Sequence, residues 1–132
     1  VGREVTEMND NRTRYERGRD ILAEISGTSV DAPKAGYAIF TPAIERFLKE
    51  HLFADIFERD LLTYRERELA TVSILAGVGG VEPMFRSHAA ICLHLGVTAE
   101  QLSALLNIVE MNLGTSYSEP LRNILEQIVK QK

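Results

Sequence analysis

The stretch "LLTYRERELATVSILAGVGG", Leu61 to Gly80, decides the fold. It opens charged, and from Leu69 to Val78 it is apolar or small on every side of a helical turn. A helix of that kind has no water-facing side of its own, so the pattern predicts one that sits centrally among others. Thr63 with Glu66 three residues on is a capping-box pattern for its start, and Gly77, Gly79 and Gly80 end it.

Reading outward, helical signals repeat in both directions. "EPMFRSHAAICLHLGVT" (Glu82–Thr98) has Pro83 near its start and Gly96 at its end. "TAEQLSALLNIVEMNLG" (Thr98–Gly114) begins with a second capping-box pattern, Thr98 with Gln101, and "SEPLRNILEQIVKQK" (Ser118–Lys132) closes the chain as an amphipathic helix. Upstream, "TPAIERFLKEHLFADIFERD" (Thr41–Asp60) places Ile44, Phe47, Leu48, Leu52, Ile56 and Phe57 at helical spacing, with Thr41 as a cap and Pro42 in the first turn. Arg12 to Ile25 carries a modest stripe of Tyr15, Ile21, Leu22 and Ile25, weakened by Gly18 and stopped at Gly27. Gly27 to Phe40 reads as a loop and residues 1–12 as a polar arm. Val, Ile and aromatic residues never alternate as they would in strands. The expectation is an all-α fold of about six helices, a single domain over residues 13–132. Two of its helices are more apolar than one small bundle covers, which predicts helices packed across subunits of a homo-oligomer.

Bulk properties exclude several classes. A net charge of −4 with both signs spread along the 132 residues argues against a general nucleic-acid binder. The longest apolar run, Ala70–Val81, is too short and too rich in glycine to span a bilayer, and the start of the sequence has no signal-peptide pattern. A single cysteine forms no intrachain disulfide and fits a reducing cytoplasm.

Three chemistries are worth weighing in Glu82–Thr98, which holds His88, Cys92 and His94. His88 and Cys92 are four apart and share a helix face, but His94 lies about 120° away. Two ligands do not make a zinc site, so no metal is expected. A lone Cys92 among apolar residues reads as packing, and a dithiol cycle has no second cysteine to use. Acid–base work is the third option. Glu68 heads the neighbouring apolar helix, and a partly buried Glu near a His is the usual setting for proton transfer. Arg65, Arg67 and Arg86 flank these positions and are able to neutralise an anionic substrate. From spacing alone the plainer reading of "YRERE" (Tyr64–Glu68), a solvated helix start with ordinary charge pairs, is slightly ahead.

The ordered set "FADIFERD", "RERELATVSILAGVGG", "SHAAICLHLGVT" and "AEQL", within Phe53–Leu102, resembles the carboxymuconolactone decarboxylase family, and "RYERGRDILAEISG" (Arg14–Gly27) resembles that family's leading helix. The resemblance implies an alkylhydroperoxidase-like helical bundle completed by oligomerisation, as a trimer or hexamer. It implies cofactor-free decarboxylation, or related acid–base chemistry, on a small acidic lactone or ring compound. Two rival readings stay open beside it: a peroxidase-type protein that uses Cys92 alone, and a non-enzymatic helical oligomer that binds a small hydrophobic acid. A sister branch carries C-x-x-C-x-x-x-H; counted back from His88, its two thiols fall on Val81 and Met84, so both are missing here. His88 matches the shared histidine and Glu68 the glutamate of R-E-L, although their spacing is about one residue longer than in the thiol branch. This implies His88 as general acid, Glu68 as its partner, Arg86 or Arg65 as an anion clamp, and no cofactor. The expected partners are a small acidic organic substrate and further copies of the chain, with no nucleic acid and no membrane. Three departures from the family pattern point to a substrate other than the named lactone: "FAD" for F-G-D, "LGTSYSEP" (Leu113–Pro120) near the C-terminus, and His94 in "AICLHLG".

Overall fold

The computed structural model describes residues 11–32, 36–58 and 61–131; most of the expected arm, residues 1–10, lies outside them. Among the described residues the chain is all helical, with seven α-helices and one π-helical segment. None of these helices is long and apolar enough to cross a membrane. The chain divides into two compact units, Val1–Thr63 and Tyr64–Lys132.

In the first unit, α1 (Arg14–Ser26) starts at a full capping box. The Thr13 hydroxyl accepts from the Glu16 N–H at 3.2 Å, and the Glu16 carboxylate accepts from the Thr13 N–H at 2.8 Å. Gly27 ends it in the left-handed region at φ 72°, as expected. Gly18 is more than a weak spot in this helix. A Cβ there would lie 1.7 Å from the backbone oxygen of Lys49, so only glycine allows this approach.

A short helix, α2 (Gly36–Phe40), forms within the stretch read as a loop. Then α3 (Pro42–Phe47) has its proline in the first turn, but the Thr41 side chain does not cap it. The chain runs on as the π-helical segment Leu48–Phe57. This corrects the apolar stripe expected there. Ile44 and Phe47 are 54% and 59% exposed, while Glu45, Ala54 and Phe57 are buried. The inward row runs Glu45, Lys49, Ala54, Phe57, with a five-residue step where the π turns widen the helix. Glu45 is inward because it has partners there: the Tyr15 hydroxyl donates to its carboxylate at 3.0 Å, and Lys49 forms an ion pair with it. Arg14 and Asp55 pair at 2.5 Å on the same two elements.

The second unit is four helices: α4 (Tyr64–Val78), α5 (Glu82–His94), α6 (Ala99–Leu113) and α7 (Thr115–Lys130). Val72, Phe85, Ala89, Cys92, Leu102 and Leu106 are at the centre of its apolar core. The expectation of a fully enclosed α4 needs correction. Within the chain it buries one row, Glu68, Val72 and Ala76, and leaves Ile74 66% and Val78 62% exposed. Four helices around one core can each cover only one stripe, and α4 is no exception. Gly96, at φ 92°, ends α5, with the Val97 N–H returning to the Cys92 carbonyl at 3.0 Å. The capping box of Thr98 and Gln101 starts α6 as predicted. α7 begins at Thr115, three residues before the expected Ser118, and continues through Pro120.

Candidate active site

Gly79 and Gly80, both at positive φ, reverse the chain between α4 and α5 and lay the two helices side by side. Glu68 stands in the buried row of α4. His88 comes from α5, one turn before Cys92. The turn brings their side chains together: His88 Nδ1 and Glu68 Oε2 are 2.6 Å apart. The Glu68 side chain is 2% exposed and that of His88 24%. A carboxylate buried so deeply needs a polar partner, and the imidazole is that partner. An ionised carboxylate only accepts, so with Glu68 ionised Nδ1 is the donor of this contact and Nε2 is the ring's second nitrogen. The pair thus joins a partly open ring to a closed carboxylate. Both residues come from one chain.

The other residues singled out by sequence do not join the pair. Cys92 is completely buried, and burial, followed by the nearby negative charge of Glu68, pushes its thiol up to about 12. It therefore supplies almost no thiolate near neutral pH. His94 is exposed at the end of α5. Among the described residues no group of three or more His, Cys, Asp or Glu side chains is placed to hold a metal ion.

The two arginines expected to clamp an anion point to other helices. Arg65 donates to the Gln101 side-chain oxygen on α6 at 3.1 Å, and Arg86 donates to that of Gln127 on α7. Arg86 precedes His88 by two residues, about 200° around α5, so the two side chains leave the helix in nearly opposite directions. The sequence reading saw Gln101 only as the capping partner of Thr98. Its oxygen accepts from the Thr98 N–H and from Arg65 together. The signal available was position: Arg65 and Gln101 each lie in the first turn of their own helix.

The family model described as "Carboxymuconolactone decarboxylase family" matches residues 42–126, a span that includes Glu68 and His88. No curated protein matches the chain.

Proposed function

We propose that this chain, which belongs to the carboxymuconolactone decarboxylase family, is an enzyme that decarboxylates a small acidic lactone or ring compound by acid–base chemistry, without a cofactor. One observation carries the reading: the 2.6 Å contact between the buried Glu68 carboxylate and the half-open His88 ring. In the reaction the bond to the carboxylate carbon breaks and CO2 leaves. The electron pair left behind spreads into a conjugated carbonyl of the substrate, and a proton returns to carbon. A protonated His88 delivers that proton from Nε2 while Glu68 holds Nδ1–H and stabilises the imidazolium. Water then restores the proton to His88.

Arg65 and Arg86 stay outside the reacting pair in this reading, because each is bonded to a glutamine on another helix. A thiol peroxidase reading is weaker, since Cys92 is enclosed and Val81 and Met84 stand where the dithiol branch has its cysteines. The proposal places the enzyme in the cytoplasm as a homo-oligomer, a trimer or hexamer. Large apolar side chains exposed in each unit, Phe40 and Leu61 in one and Ile74 and Met111 in the other, support contact between copies. Light scattering at micromolar protein should give a multiple of the 14.8 kDa chain.

The test is turnover of 4-carboxymuconolactone and related acidic lactones in D2O. The expected product carries one solvent deuterium, at the carbon of the conjugated system that takes up the proton. His88→Gln should lower the rate by about 10²–10⁴-fold while helicity is retained. Unchanged turnover by a folded His88→Gln protein would remove the reading.

A further inference from the structure

A groove of about 620 Å³ runs along the second unit between α4 and α6. It lies apart from the acid–base pair: neither Glu68 nor His88 is among the residues that line it. The two helices run parallel along it. Arg65 faces Gln101 at one end, and Gly77 faces Leu113 at the other, where a Cβ on the glycine would sit 3.9 Å from the leucine methyl. Twelve helical residues separate the ends, a length of about 18 Å.

The lining has an uneven chemistry. Leu69, Leu105, Ile108 and Leu113 make its length apolar, and Ile108 and Leu113 are exposed. Its polar members Ser73 and Asn112 are turned back on their own helices. The Ser73 hydroxyl donates to the Leu69 carbonyl and the Asn112 amide to the Ile108 carbonyl, both at 2.8 Å. Among the lining residues Arg65 is the one charged group, and its hydrogen bond goes to a neutral amide. The positive ends of both helix dipoles lie at the same end as Arg65. The groove therefore offers one cationic end and one long apolar body.

We infer that this groove binds a single-chain amphipathic carboxylate about as long as dodecanoate, its carboxylate on Arg65 and its tail laid toward Gly77 and Leu113. Charge complementarity selects this occupant. A linear acid brings one anion to the one cation and nothing polar to the rest. A helix from a second copy would bury that cation unless it also carried an acid to the same end. Gly77 keeps the far end open, and its φ is not in the left-handed region, so larger residues are tolerated by the backbone there. The inference does not rest on the Glu68–His88 reading.

Isothermal calorimetry on the full chain, with dodecanoate below its micellar concentration, tests it. The wild type should bind one dodecanoate per chain with saturation, and dodecyltrimethylammonium, with the same tail and the opposite charge, should not bind. Arg65→Met should weaken dodecanoate by about tenfold or more. Gly77→Leu should weaken dodecanoate more than hexanoate, because it shortens the apolar end and leaves the charged end intact. Circular dichroism checks that both variants fold; Arg65 and Gly77 are exposed, so each should. Should either variant fail to fold, protection of Arg65 and Leu113 amides from hydrogen exchange by dodecanoate in the wild type replaces it. Three results would overturn the inference: no saturable binding, equal binding of the two surfactants, or a Gly77→Leu variant that changes the oligomer mass and leaves dodecanoate binding unaltered. The last would assign the groove to a second copy of the chain.

Discussion

The two compact units are held together by different means. In Tyr64–Lys132 the interior is apolar: Phe85, Leu102 and Leu106 are at most 1% exposed and pack in one cluster. In Val1–Thr63 the described buried apolar set is smaller, Ile21, Ile25, Ala38, Ala54 and Phe57, and polar ties between α1 and the α3–π segment stand beside it. Glu45 is buried against Tyr15 and Lys49, Arg14 pairs with Asp55, and Arg17 lies 3.4 Å from Glu58 with both side chains mostly covered. Meanwhile Ile44 and Phe47 of α3 face outward. The difference bears on the two buried carboxylates. A lone carboxylate–imidazole pair is kept strong by an apolar surround, and the second unit provides one for Glu68. The buried carboxylate of the first unit, Glu45, sits instead among a hydroxyl and an ammonium that hold it as a structural tie.

The comparison is most exposed to failure at its two phenylalanines. Phe85→Ala should cost about 3–5 kcal/mol by emptying the core of the second unit. Phe47→Ala, outward in the first unit, should stay within about 0.5 kcal/mol. Urea melts of both variants measure this, and similar losses would break the comparison. A smaller effect is expected at the helix contact of the first unit. Gly18→Ala puts a methyl into the Lys49 carbonyl and should cost about 1–3 kcal/mol, with α1 losing hydrogen-exchange protection first. Tyr15→Phe removes one donor to the buried Glu45 and should cost about 1 kcal/mol in the same melts.

The smallest effect concerns acid. Glu110 on α6 accepts from Arg122 and from the Ser118 hydroxyl, each at 3.1 Å, and these bonds hold its carboxyl below the usual 4.5. A carboxyl lowered in the folded state contributes stability above its unfolded value and loses it as pH falls through the lower folded one. Wild-type stability should therefore drop below about pH 4.5 more steeply than that of Glu110→Gln, with the two curves running parallel at neutral pH. Parallel curves throughout would show that the Arg122 bond adds nothing.

Much of the second unit was legible because its signals are local. Gly96, the Thr98–Gln101 box and Gly114 set helix ends by backbone geometry, and each ends or starts a helix where the residues say. Glu68 and His88 stood out as polar groups in apolar helices, and the two-glycine turn between those helices is short enough to make them neighbours. Glu68 and His88, which the resemblance matches to a glutamate and a histidine spaced about one residue closer in the thiol branch, meet here because α4 and α5 lie side by side. The directions of Arg65 and Arg86 were not legible, because they follow from glutamines on helices distant in sequence. In the first unit, apolar periodicity pointed to the wrong face of α3. A π segment breaks the 3.6-residue count, and the partners that draw Glu45 inward lie 30 residues back at Tyr15 and one turn on at Lys49. Nor does any apolar pattern mark α2, which is only five residues long.

The central claim is that the chemistry belongs to the Glu68–His88 pair and not to the cysteine. The most direct measurement sets His88→Gln beside Cys92→Ser in turnover of the lactone, with both proteins shown to be folded. The account predicts that His88→Gln loses about a hundredfold or more while Cys92→Ser keeps activity close to wild type. Loss of turnover in Cys92→Ser with retention in His88→Gln would contradict it.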